Sequence, residues 1–128
     1  MHKILVIDDE PELVEILRKL LTKNNFEVLT ALSSEQALEI LESDIKIDLM
    51  VLDIRMPRIT GIGILERMKK MNRNIPILIL TGSLDGQIYN SDLVNLGYSL
   101  EDICYKPVDL FLVLGLIKKK LGIDSKGK

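Results

Sequence analysis

Two apolar runs in this chain stop abruptly on acids. Ile4–Ile7 runs into Asp8-Asp9-Glu10, and Leu49–Leu52 runs into Asp53. A third run, Ile77–Leu80, ends in Thr81-Gly82, and a weaker one ends in Lys106-Pro107. In open α/β sheets, ligands bind outside the carboxyl ends of the strands, at the switch in strand order. With the first and third strands as neighbours, Asp8, Asp9 and Asp53 converge. Three carboxylates within a few ångströms repel, and they do not all stay ionised at neutral pH without a cation. The set is too small for a closed calcium cage and lacks the Cys or His that zinc takes. Magnesium fits, because it binds one or two carboxylates, keeps waters and shares phosphate oxygens. Reach then separates the other two groups, since neighbouring strands lie about 4.8 Å apart. Thr81, one strand from Asp53, needs only a short hydroxyl. Lys106, two strands away, needs a long stem ending in a point charge. A carboxylate, a magnesium site, a hydroxyl and an ammonium make a site for a phosphoryl group held covalently on Asp53.

The elements that must position these groups are legible as an alternation. The solid apolar runs suit strands buried on both faces of a parallel sheet. Weaker strands are read at Glu27–Ala31 and Asp102–Lys106. Between them lie amphipathic stretches. Pro11–Lys23 carries Leu13, Leu17, Leu20 and Leu21 on one stripe, with Pro11 placed as a first helical residue. Ser33–Ser43 opens with Ser33 and Gln36 at capping-box spacing. Ile62–Met71 follows the Gly61 turn, Gly86–Leu96 is a poorer helix, and Leu110–Leu121 is the last. Five β-then-α units predict an α/β domain with a doubly wound five-stranded parallel sheet, helices on both faces, of flavodoxin-like order 2-1-3-4-5.

These motifs, in order and at strand ends, resemble the receiver domain of the two-component response regulators, the family that includes the bacterial chemotaxis regulator. The likeness covers about residues 3–121. Asp8 and Asp9 match the family's acidic pair, and Asp53 in "LDIRMPRITG" matches its phosphoacceptor and the D-x-x-M-P-x-x-x-G turn. The resemblance implies Asp9 as a direct magnesium ligand, Asp8 acting largely through water, and a metal set completed by Asp53 and Arg55. It implies that Thr81 follows a rotating phosphoryl group, that Lys106 is the family's lysine, and that Lys106–Pro107 is a cis peptide. It implies that Arg55 and Ser83 tune the phosphoryl lifetime, and Gly82 leaves room for the group. It also implies phosphoryl transfer from a histidine kinase or histidine phosphotransfer protein, and self-catalysed hydrolysis. Two positions depart from the pattern. The aromatic that usually stands three residues before the lysine, as a switch coupled to the hydroxyl residue, is Ile103 here. Tyr105 has the same strand parity and could serve instead. The stretch from Gly97 to Lys106, through "YSLED", is also longer than usual.

Composition bounds the rest. With 128 residues there is room for one domain, read as a receiver over 1–121, with 122–128 a flexible tail or the start of a linker. A net charge of −2 gives no broad field for DNA or an anionic membrane. The single cysteine, Cys104, makes no internal disulfide and is read as a small core residue in a cytoplasmic protein. No output domain is recognisable, so the expected role is protein contact or part of a longer regulator. The final helix contains "LFLVLGLI" at Leu110–Ile117. A helix apolar all round has more than one face to bury. The outward face, drawn from Phe111, Val113, Leu114 and Ile117, is expected to meet a second copy or an output protein. Two rivals set the alternatives. A magnesium phosphohydrolase with an aspartyl nucleophile needs turnover of a free phosphate ester, and a pseudo-receiver would take up no phosphoryl group.

Overall fold

The computed structural model describes residues 1–82 and 90–123. Five strands, β1 (Lys3–Ile7), β2 (Glu27–Ala31), β3 (Leu49–Asp53), β4 (Ile77–Gly82) and β5 (Ile103–Lys106), alternate with helices α1 (Pro11–Lys23), α2 (Ser34–Glu42), α3 (Gly61–Lys70), α4 (Asn90–Asn95) and α5 (Leu110–Lys120). All strand pairs are parallel, and the order is β2-β1-β3-β4-β5. This is the doubly wound arrangement that the alternation predicts.

The solid apolar runs are explained by two cores, one on each side of the sheet. Leu5, Ile7, Met50, Leu52, Ile77 and Ile79 face α2, α3 and α4. Ile4, Val6, Leu49, Val51, Leu78 and Leu80 face α1 and α5. Alternate side chains leave opposite faces of a strand, so a central strand covered on both sides is apolar at every position. β2 and β5 lie at the edges, are only partly buried, and accordingly read as weak strands.

Helix ends are fixed locally. Pro11 opens α1, and Ser33 Oγ accepts from Gln36 N–H at 3.2 Å to start α2. The return bond of the expected capping box is displaced by one residue, because Gln36 Oε1 accepts from Leu32 N–H at 2.8 Å. Four helices end in left-handed residues, Asn25, Asn72, Gly97 and Gly122. In each case the next residue's N–H reaches back into the last turn, as Phe26 does to Leu21 at 3.1 Å. Beyond Gly97 the longer connection folds into a 3-10 turn, Leu100–Asp102, capped by Ser99, so β5 begins at Ile103 and not at Asp102. Lys120 of α5 pairs with Asp102, which ties this turn to the last helix. The expected helix over Gly86–Leu96 is described only from Asn90, and the tail only to Ile123.

The last helix corrects one expectation. Val113 and Ile117 are fully buried against the sheet, and Leu114 is partly buried in the same core. The residues that face outward are Phe111, 87% exposed, and Leu112, 53% exposed. Asp109 Oδ1 accepts from the Phe111 and Leu112 N–H groups, which sets where the helix starts. Val113 and Ile117, one turn apart, then form the inward stripe. A helix apolar on every side carries no periodic signal from which that rotation can be read.

Gly61 shows how tightly α3 is set against the end of β3. A Cβ there would lie 2.8 Å from both Asp53 O and Ile54 Cα, which are backbone atoms and cannot turn aside. Gly115 in α5 has open space instead. Gly61→Ala is therefore expected to destabilise the protein by about 1–3 kcal/mol through overpacking. Gly115→Ala is expected to stabilise it by about 0.5–1 kcal/mol through helix propensity. Urea denaturation of the two variants checks the pair of signs.

Candidate functional site

The strand register builds the site. Ile7 pairs with Leu52, so the next residues, Asp8 and Asp53, stand abreast on adjacent strands. Asp53 pairs with Leu80, which sets Thr81 one step further along the neighbouring strand, and Gly82 pairs with Lys106. Asp8 and Asp53 are almost wholly buried, as is Thr81, while Asp9 is exposed. Carboxylate oxygens of Asp8, Asp9 and Asp53 all lie within 4.8 Å of one another. An open depression lined by Asp9, Arg55, Met56 and Pro57 gives access from solvent.

Lys106 ends β5 and sends its ammonium back over the carboxylates. Nζ lies 3.1 Å from Asp8 Oδ2 and 3.5 Å from Asp53 Oδ2. The Asp8 contact is an ion pair, and among the described residues this buried oxygen has no hydrogen-bond donor. The nearest partner of Lys106 is Glu10, whose Oε1 accepts from Nζ at 2.6 Å. Backbone groups hold the acids in place. Asp8 Oδ1 accepts from Glu10 N–H at 3.0 Å, and Asp53 Oδ1 from Arg55 N–H at 3.2 Å.

These surroundings shift the titrations. Burial first, then the charge of Asp8, pushes Asp53 up to about 7, against the pull of Lys106 and the Arg55 N–H. Burial also raises Asp8, opposed by the Glu10 N–H and Lys106. For Lys106, burial disfavours the ammonium, but the Glu10 hydrogen bond and the charges of Asp53 and Asp8 outweigh it and raise the pKa. Crowded, partly undonated carboxylate oxygens with no sulfur or imidazole among them fit a hard divalent cation of the magnesium type.

The remaining expected residues fall into place unevenly. Among the described residues Thr81 Oγ1 donates to Gly82 O, at 3.3 Å, and to no other group. Tyr105 pairs with Thr81 across β4 and β5 and is 46% exposed. Ile103 packs against the α2–α4 core, in the place where the resemblance puts an aromatic. The Lys106–Pro107 peptide is cis. Ser83 lies outside the described residues. Glu10 joins the site, although the sequence does not single it out. Its only signal is being the third acid in a row, and its partner is 96 positions away.

With fold and site in view, the chain belongs to the response regulator receiver domain family, whose model matches residues 4–114. It is similar to the response regulator SaeR of Staphylococcus epidermidis, 38% identical over 81 residues, which is 63% of this chain and 34% of that protein. The transcriptional regulatory protein CpxR of Escherichia coli is 41% identical over 81 residues, with the same shares. The matched stretch thus spans about a third of the length of these curated relatives. Among solved structures, a response regulator receiver domain protein from Clostridium thermocellum superposes with a TM-score of 0.82 at 32% identity, covering 95% of each chain. A CheY-like receiver domain protein from Methanospirillum hungatei gives a TM-score of 0.83 at 26% identity, covering 95% of this chain and 94% of that one.

The raised carboxylate titrations predict a pH dependence. A carboxyl whose folded pKa lies above its unfolded value binds protons in the native state that the unfolded chain has released. Metal-free stability should therefore fall as the pH rises from about 4 to about 7, the window set by Asp53. Lys106, whose pKa is also raised, acts in the same sense but at alkaline pH, where the stability it contributes is lost as the pH rises above its ordinary value of 10.5. Thermal denaturation in the presence of a chelator should show this decline in the wild type. Asp53→Asn should flatten much of it.

Proposed function

We propose that Asp53 accepts a phosphoryl group from a histidine kinase or histidine phosphotransfer protein, and that the domain, residues 1–121, then changes which protein its surface engages. One observation carries the reading. A buried carboxylate ends a central strand with two further carboxylates within 4.8 Å and an ammonium 3.5 Å away. An Asp53 Oδ attacks phosphorus, and the bond from phosphorus to the donor imidazole nitrogen breaks. The imidazole leaves with the electron pair, and an acyl phosphate stands on Asp53. Asp8, Asp9, Asp53 and the Arg55 position would hold magnesium, which when bound neutralises charge on the carboxylates and the phosphoryl oxygens. Lys106 counters the same charge from the other side, and the Thr81 hydroxyl meets a phosphoryl oxygen. Attack by water on phosphorus returns Asp53 and releases inorganic phosphate, so the domain acts catalytically only on itself.

The signal would leave by way of Thr81 and β5. Tyr105, abreast of Thr81 with half its surface in solvent, is the aromatic available to respond, with Ile103 filling the slot below. Gly82, Arg55 and Ser83 would tune lifetime through the space and polarity they leave. The outward pair Phe111 and Leu112 of α5 offers apolar area to a second copy or an output protein. Among the described residues no helix is long and apolar enough to cross a membrane. A cytoplasmic place of action, alongside the kinase's catalytic part, goes with the proposed phosphoryl donor.

Intact-mass measurement after incubation with acetyl phosphate and magnesium tests the central step. The wild type should gain one phosphoryl group, and Asp53→Asn should gain none. A wild type that stays unmodified would favour a pseudo-receiver, and steady turnover of a free phosphate ester would favour a phosphohydrolase.

A further inference from the structure

Lys106 faces three anions, yet it bonds most closely to the one outside the acidic trio. Glu10 is 2.6 Å from Nζ, Asp8 3.1 Å and Asp53 3.5 Å, and of these contacts only Glu10's is a hydrogen bond. Glu10 stands at the N-cap of α1, where a short acid would cap the helix, and its side chain makes no capping bond. It reaches across to the end of β5 instead. Its backbone N–H meanwhile goes to Asp8 Oδ1 at 3.0 Å. One residue therefore braces an acid of the site with its main chain and the cation of the site with its side chain.

A phosphoryl group on Asp53 would carry close to two negative charges beside the same ammonium, where the free carboxylate carries at most one. A lysine ammonium is a point charge with three donors, and bonds made to one anion are withdrawn from another. We infer that Glu10 is a positioning residue that occupies the Lys106 ammonium in the resting state and competes with the phosphoryl group for it. The inference rests on the proposed role of Asp53 and adds to it a residue that restrains the lysine. Glu10 has 59% of its side chain in solvent, so the restraint is of the modest size of exposed pairs.

Glu10→Gln removes the charge and keeps the side-chain length. Glu12→Gln is the control, because it removes an equal charge two residues on, from a side chain with no ion pair to Lys106. The first readout is the nitrogen resonance of the Lys106 ammonium in the unphosphorylated protein, identified by its loss in Lys106→Gln. It should move in Glu10→Gln and stay in Glu12→Gln. The second is the rate of Asp53 labelling by acetyl phosphate with magnesium, which should rise roughly two- to fivefold in Glu10→Gln over the control. A resonance that does not move overturns the inference. So does a resonance that moves while labelling keeps the wild-type rate, and the Asp53 reading then survives. Labelling that persists in Asp53→Asn overturns both, and that variant alone identifies the case.

Discussion

Asp8 and Asp53 lie abreast at the ends of adjacent central strands, both nearly sealed from water, with one ammonium reaching them at 3.1 Å and 3.5 Å. Burying two like charges side by side is costly, and a buried charge without a partner costs several kcal/mol. Lys106 offsets part of that cost, and it is shared with Glu10. The shortfall is visible in Asp53, which is pushed up to about 7, and in an Asp8 oxygen with no hydrogen-bond donor among the described residues. The resting site is thus short of positive charge. A divalent cation answers that need directly.

The rest of the fold can be understood as holding this crowded arrangement open at one end. Parallel strands in the order β2-β1-β3-β4-β5 place the carboxyl ends of β1, β3, β4 and β5 side by side. Two cores make those strands rigid on both faces, so the carboxylates cannot easily separate to relieve their repulsion. Gly61 lets α3 begin hard against the end of β3, with its N–H on Ile54 O at 2.7 Å. The turn between them keeps the Arg55 N–H on Asp53. Strain here comes from electrostatics held by packing.

What the sequence made legible follows from the same physics. Central strands declare themselves because both faces are covered, and their terminal acids stand out because nothing else interrupts an apolar run with charge. Asp8, Asp9, Asp53, Thr81 and Lys106 are therefore brought together by the strand pattern alone. Glu10 could not be singled out, since three consecutive acids look alike until a lysine 96 positions away selects one. The face of α5 was also hidden. Its apolar residues surround the helix, and only the Asp109 cap and the inward turn of Val113 and Ile117 reveal that Phe111 and Leu112 point out. The added length before β5 was visible as a count, but not as a 3-10 turn tied to α5 by Asp102 and Lys120.

As a magnesium site, the acidic cluster would draw on each of its three carboxylates. Calorimetric titration of magnesium into the wild type and into Asp9→Ala measures this without any phosphoryl donor. Asp9 is the exposed member of the three, so its loss should leave the fold intact. The wild type should bind one magnesium ion, and Asp9→Ala should bind it at least about tenfold more weakly, as expected when a direct carboxylate ligand is removed. Equal affinity in the two proteins, or no magnesium binding to the wild type, would contradict the account.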